Sequence, residues 1–177
     1  MTAAEINELI KKYGQAIYGF CWYLCGNKND AEELYQDTML KLVELKHRVV
    51  IKSGTEDEYL GAKKFCLAVA SRLFKHRIGK QTERPEMVPI EDCTDLSLEE
   101  NAEKSFLEKE EKIKLRKAVS DLPYKKKIVT LMYYYGEMEI KEIAKMLHIP
   151  EGTVKSRLNS AKADIKQKME EQGYEGY

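Results

Sequence analysis

The stretch "EIAKMLHIPEGTVKSRL", Glu142 to Leu158, decides the reading of this chain. Ile143, Ala144 and Leu147, with Ile140 just upstream, recur at spacings of three and four and form the apolar stripe of a short amphipathic helix. Ile149 tucks in at a turn, and Pro150 stands near the start of the next helix, where its missing N–H costs little. Val154, Leu158, Ala161 and Ile165 then give a second inward stripe. Thr153, Lys155, Ser156, Arg157, Asn159 and Ser160 are left pointing outward or sideways. Arg and Lys donate to guanine edges, Asn pairs with adenine, and hydroxyls reach phosphate or base. The pattern is that of a helix-turn-helix whose second helix reads duplex DNA. An antiparallel helical hairpin with a solvated basic face uses the same stripes and stays open at this point.

The net charge looks wrong for such a task. Thirty Lys and Arg balance thirty Asp and Glu, whereas a DNA-binding domain is usually basic, because phosphate neutralisation supplies much of its affinity. The neutrality is an average over unlike parts. From Gly61 to Arg84 the chain carries Lys63, Lys64, Arg72, Lys75, Arg77, Lys80, Arg84 and His76 against Glu83 alone. As far as Lys168, the last helix carries Lys155, Arg157, Lys162, Lys166 and Lys168 against Glu151 and Asp164. Between them, Pro85 to Glu111 holds ten acids and only Lys104 and Lys109. Two basic surfaces flank an acidic strap, an arrangement for touching nucleic acid at two places.

Helical periodicity runs through the rest, and no alternation of apolar and polar residues marks a strand. The spacing predicts a first helix from Ala4 to Cys25, with Ile6, Ile10, Tyr13, Ile17, Phe20, Cys21 and Leu24 facing inward, ended at Gly26-Asn27. Asp30 with Glu33 reads as a capping box opening a second helix, and a third follows from Glu58 to Gln81 after a polar loop, His47 to Asp57. Beyond the strap, one helix reaches Asp121, another spans Tyr124 to Tyr135 with Gly136 as its C-cap, and the opening pair completes the lobe. The expected fold is all-α: a three-helix N-terminal bundle over 1–84, a flexible acidic linker over 85–105, and a four-helix C-terminal lobe over 106–173.

Within the first lobe, the third helix interleaves its cations with Tyr59, Phe65 and Phe74. Basic grooves with aromatic platforms bind single strands, although Phe65 and Phe74 serve equally well as core. The second helix, "DAEELYQDTMLKLVEL", turns Ala31, Leu34, Thr38, Leu42 and Leu45 inward and presents Glu32, Glu33, Gln36, Asp37 and Glu44, a face suited to water or to a basic protein surface. Glu33 and Asp37 lie one turn apart, yet no convergent His, nucleophile or phosphate-cradling loop accompanies them, so catalysis is not expected. Cys21, Cys25, Cys66 and Cys93 lack zinc-ligand spacing and are expected as buried free thiols, and neither metal nor cofactor is implied. No apolar run reaches the length of a membrane span, and the N-terminus lacks a signal-peptide core, so a cytoplasmic protein is expected.

These residues, in this order, resemble the extracytoplasmic-function (ECF) group of bacterial RNA polymerase sigma factors, the smallest members of the sigma-70 family. "DAEELYQDTMLKL" is similar to the family's polymerase-binding helix. "LRKAVSDLPYKKKIVTLMYYYGEMEIKEIAKMLHIPEGTVKSRLNSAK" resembles its C-terminal lobe, including D-L-P and I-P-E-G-T-V-K-S-R. The two motifs sit far apart on either side of an acidic linker, and the likeness covers nearly the whole chain.

The resemblance implies roles that spacing does not. Asp30, Glu33, Gln36 and Asp37 fall on the helix that meets the clamp of the polymerase's largest subunit. The loop from His47 to Asp57 would receive an unpaired base of the −10 element. The third helix, through Lys63, Lys64, Arg72, Lys75, His76, Arg77 and Lys80, would hold the non-template strand. The last helix would read the −35 element as duplex while its lobe sits on the polymerase flap. An anti-sigma factor is a further partner that the family implies, and the free chain would be a monomer without direct membrane insertion. Neutrality then has a reason: the core enzyme supplies most phosphate contacts, and the second promoter contact becomes intramolecular.

Four positions depart from the family pattern. Phe65 takes the place of a Trp and Arg72 that of an Asn in the third helix, and Ser160 stands where a basic residue is common. His148 occupies a turn position that is commonly Gly, so a slightly altered turn is expected. Two other readings share parts of the pattern. An ordinary helix-turn-helix regulator would lack the acidic helix, and a degenerate relative would keep the first lobe's surfaces but fail at promoters.

Overall fold

The structure, a computed structural model, describes residues 1–80 and 104–173, with the side chains of residues 80 and 104–110 left aside. The expected linker 85–105, all but its last two residues, lies outside the described residues, as do Cys93 and Arg84. Seven helices make up the described part, and no strand occurs in it. They are α1 (Ala3–Cys25), α2 (Lys28–Glu44), α3 (Glu56–Lys80), α4 (Lys104–Ser120), α5 (Tyr124–Thr130), α6 (Ile140–Leu147) and α7 (Glu151–Glu171). A single 3-10 turn, Lys46–Arg48, follows α2, and α5 runs directly into a π-helical turn, Leu131–Tyr135.

Local chemistry sets the helix ends. Thr2 and Glu5 form a full capping box at the start of α1, and Gly26, at φ +77°, ends it in the left-handed conformation that glycine adopts freely. The second helix begins three residues earlier than expected. Asn27, extended at φ −144°, ψ 157°, is the N-cap, and its side-chain oxygen accepts from the Asp30 N–H at 3.0 Å. Asparagine caps as well as aspartate does, so the first Asx residue after the αL glycine takes the position and leaves Asp30 inside the helix. Gly136 is the C-cap, as expected: the helical run that begins at Tyr124 ends with the π-helical turn at Tyr135, and the Gly136 N–H donates to the Leu131 carbonyl at 2.9 Å. Gly136 has ordinary helical dihedrals, φ −81°, while Glu137 takes the positive φ of 54°. A Cβ at position 136 would come within 2.7 Å of the Met132 carbonyl and 2.9 Å of Leu67 Cδ1, so glycine is there for close approach.

The buried faces follow the periodicity in most places. Ile17, Phe20, Cys21 and Leu24 of α1 and Ala31, Leu34, Thr38 and Leu42 of α2 are buried. Ile10 is not: it is exposed, and Leu9 is fully buried instead, one step round the helix. On α3 the burial is wider than one stripe. Ala62, Cys66, Val69 and Ala70 are buried, and so are Lys63, Leu67 and Ser71.

That second stripe exists because the two lobes pack against each other. Buried side chains of α1, α2 and α3 and of the segment from Ile128 to Leu158 belong to one continuous apolar cluster. At the seam, Tyr124 Oη donates to the Ser71 carbonyl at 3.2 Å, and the Phe74 and Tyr124 ring centroids lie 6.0 Å apart. Tyr135 meets Tyr23 edge-on at 5.5 Å, and a Cβ at Gly19 would fall on the Tyr135 hydroxyl.

Candidate nucleic-acid interface

The outer face of α7 carries the duplex-reading candidates. Val154, Leu158 and Ala161 are buried, which turns Lys155, Ser156, Asn159 and Ser160 to solvent and leaves Thr153 and Arg157 at the edge. Ser156 Oγ donates to the Thr153 carbonyl at 3.1 Å, and Lys155 and Arg157 make no ion pair among the described residues. Asp164 and Asp121 neutralise the inner side of the lobe instead, through Lys126 at 2.6 Å and Lys168 at 2.9 Å. The turn before α7 keeps the left-handed geometry despite its histidine. His148 sits at φ 54°, ψ 48°, with its N–H on the Ala144 carbonyl, so the altered turn expected from the missing glycine does not occur. An exposed imidazole clear of the core lets the strain be borne locally.

The α3 cations divide into two groups. Arg72, Lys75 and His76 are exposed. Lys63, Lys64 and Arg77 are committed inside the molecule. Lys63 is only 4% exposed; its Nζ lies 3.7 Å from Glu137 Oε1 and 5.6 Å from the centroid of the Tyr13 ring. Lys64 Nζ donates to both oxygens of Glu142 at 2.9 and 2.8 Å. Arg77 reaches Asp37 Oδ2 at 2.6 Å and Glu33 Oε1 at 3.3 Å. Reading a basic run as one solvent face overlooked that a helix covered on two sides turns some cations inward, where each needs an acid. The backbone of Lys80 lies at the end of α3; its side chain is outside the described residues.

Helix α2 presents Asp30, Glu33 and Gln36 to solvent, with Asp37 half-buried beneath Arg77. Beside them run two apolar residues that the inward-facing reading of α2 passed over, Leu40 at 61% and Val43 at 45% exposure. Gln36, Leu40 and Val43 share a face by their spacing of four and three. The signal was available: neither Leu40 nor Val43 fits the stripe of Ala31, Leu34, Thr38 and Leu42.

The loop between the 3-10 turn and α3 is anchored by Val49, which is buried, while Val50 and residues 52–55 are exposed. Elsewhere, Cys21 and Cys66 are buried and Cys25 is half-buried, all as free thiols. Burial pushes each up to about 12, so none supplies a thiolate at neutral pH. Among the described residues no group of His, Cys, Asp or Glu could hold a metal ion, and no helix is long and apolar enough to cross a membrane.

Comparison with known proteins places the chain in a family. Residues 9–53 match the family described as Sigma-70 region 2, and residues 112–165 match Sigma-70, region 4. The chain belongs to the sigma-70 family. Its sequence is similar to the ECF RNA polymerase sigma factor SigW of Bacillus subtilis, 24% identical over 175 residues, covering 92% of this chain and 87% of that one. It is also similar to the ECF RNA polymerase sigma factor SigE of Mycolicibacterium smegmatis, 23% identical over 162 residues, covering 90% of this chain and 60% of that one. In fold, this sigma factor is similar to the sigma factor RpoE solved in complex with the anti-sigma factor NepR from Bartonella quintana. That likeness has a TM-score of 0.67 at 16% identity and covers 93% of this chain and 96% of that chain. This sigma factor is of the ECF type and directs RNA polymerase to promoters.

Proposed function

We propose a division of labour among the surfaces just described. The strip Asp30, Glu33, Gln36, Leu40 and Val43 on α2 meets the polymerase clamp: carboxylates match a basic surface, and the two exposed apolar side chains supply area to bury. Asp37 contributes to that contact mainly by holding Arg77 and so fixing α2 against α3. The exposed cations Arg72, Lys75 and His76, with Lys80, track the phosphates of the non-template strand at the −10 element, joined by Lys63 and Lys64 once the lobes part. The loop between the 3-10 turn and α3, Val49 to Thr55, receives an unpaired base. Thr153, Lys155, Ser156, Arg157, Asn159 and Ser160 read the −35 element in the major groove. The C-terminal lobe sits on the polymerase flap, and an anti-sigma factor is the expected antagonist, in the cytoplasm.

The observation that carries this reading is the pairing, in one chain, of an unpartnered recognition face on α7 with cations on α3 that are capped by acids of the other lobe. Such a chain is reserved: it binds promoter DNA weakly until another molecule separates its lobes. Core polymerase is that molecule, because it engages both lobes at once and raises the effective concentration of the second contact.

Run-off transcription from fragments of the source genome tests it, with bacterial core polymerase in the presence and absence of the chain. Discrete starts that need the chain and share paired −10 and −35 sequences are the expected result. Stable association with core enzyme but no new starts would leave the proposed DNA contacts without support.

A further inference from the structure

One carboxylate organises the loop that precedes α3. Glu58 Oε1 accepts from the Lys52 N–H at 3.1 Å, and Oε2 accepts from the Ser53 N–H at 3.1 Å and the Thr55 N–H at 3.3 Å. Gly54, at φ +65°, turns the chain so that these amides converge. The bond to Thr55 is ordinary capping: the Thr55 carbonyl accepts the Tyr59 N–H at 3.2 Å, which places Thr55 at the head of the helix and Glu58 three residues in. The bonds to Lys52 and Ser53 exceed what a cap requires. They reach back into the exposed loop and tie it to the first turn of α3. The amides of Lys52 and Ser53 in turn hold the Glu58 carboxyl below the usual carboxylate range, so it is ionised at neutral pH.

Converging backbone amides in a turn are themselves an anion site. Left empty, this cluster would take a phosphate of the incoming strand and set the strand's register by its backbone. With Glu58 seated there, phosphates are left to the α3 cations, and the loop offers side chains such as Val50, Lys52 and Ser53 to a base.

We propose that Glu58 is a positioning residue for −10 recognition: it fixes the shape of residues 52–55 and excludes phosphate from their amides, so that the loop discriminates among bases. This rests on the reading of that loop as the base-receiving element.

The test uses the full chain with core polymerase on promoters that keep one −35 element and vary the −10 element one base at a time. In Glu58→Gln, the ratio of transcription from the preferred −10 sequence to its single-base variants should fall by roughly tenfold, the scale of one misread base. Core affinity and −35-dependent retention should stay unchanged. A mere cap would lower output on every promoter alike, so an unchanged ratio in Glu58→Gln overturns the proposal. Val50→Ala, Lys52→Ala and Ser53→Ala separate the two layers. If they alter the −10 preference while Glu58→Gln does not, the loop reading stands and the role of Glu58 falls. If they leave the preference untouched, the loop reading falls and takes the proposal with it.

Discussion

Lys64 Nζ lies within 2.9 Å of both carboxylate oxygens of Glu142, 78 residues further along the chain. With Lys63 and Glu137 beside it, the pair closes the C-terminal lobe over cations that would otherwise face phosphate. Replacing Glu137 and Glu142 together by Gln should therefore raise the affinity of the free protein for a single-stranded oligonucleotide of the −10 sequence. Two released cations correspond to roughly a three- to tenfold gain at low salt, shrinking as salt rises. Fluorescence anisotropy checks it against Glu170→Gln with Glu171→Gln, which removes equal charge at the far end of α7. Equal gains in both double variants would mean that the pairs do not compete with DNA.

The same pair responds to pH. Burial opposes ionisation of Glu142, but the Lys64 ammonium and the Glu139 N–H outweigh it and hold the carboxyl below its ordinary value. A carboxyl lowered in the folded state contributes stability that is complete above its unfolded value of 4.5 and is lost as pH falls through the lower folded one. Wild type should therefore exceed Glu142→Gln in thermal stability at neutral pH, and the gap should narrow as pH falls below 4.5. Melting curves of both proteins across that range measure the difference. A gap that persists in acid would assign it to lost packing instead.

On the recognition helix, Lys155→Ala with Arg157→Ala should abolish −35-dependent transcription and leave core binding intact. Each base-edge contact is worth about 1–3 kcal/mol, so the double variant loses on the order of a hundredfold or more in promoter discrimination. Both side chains lack intramolecular ion pairs among the described residues, so the fold should not move. Run-off assays together with co-elution from core enzyme check the two halves separately.

Core binding is better probed through Leu40 and Val43 than through Asp37, whose removal would strand Arg77 partly buried without its closest acid. Leu40→Ala and Val43→Ala each remove exposed apolar surface that becomes buried only on binding, about 1–2 kcal/mol apiece. A roughly five- to thirtyfold weaker affinity of each variant for core polymerase at an unchanged melting temperature is the expected result, measured by titration with labelled core. A drop in melting temperature would place these side chains in the fold.

The sequence displays what depends on local periodicity and capping: the number of helices, the inward stripes of α2, α6 and α7, and the outward set from Thr153 to Ser160. The burial of Cys21 was legible for a similar reason, since it falls on the stripe of Ile17 and Leu24, whereas Cys25 is only half-buried. What depended on contact between distant segments was not. Nothing around "KKFCLAVASRLF" distinguishes Lys63, which is buried, from Arg72, which is exposed; the difference is made by Glu137 and Glu142 arriving from the other lobe. Gly136 was legible as the helix stop, but its close approach to Leu67 was not, because Leu67 arrives from a distant segment. Leu40 and Val43 are the converse case: their misfit with the buried stripe was visible, but the pattern alone did not assign them a partner.

The turn into the recognition helix yields the last expectation. His148 holds φ 54°, ψ 48° with an exposed side chain, so no packing repays the left-handed strain of about 1–2 kcal/mol. Glycine relieves that strain but loses more chain entropy on folding, about 0.5–1 kcal/mol. The difference favours His148→Gly by roughly 0.5–1 kcal/mol, a rise of about 2 °C in melting temperature for a chain of this size. His148→Val, β-branched at the same φ, should fall by several degrees. Because Ala144 accepts the backbone N–H whichever side chain follows, the glycine variant should also keep its −35 preference in run-off assays. A lowered melting temperature for His148→Gly would mean that the imidazole makes a stabilising contact in solution.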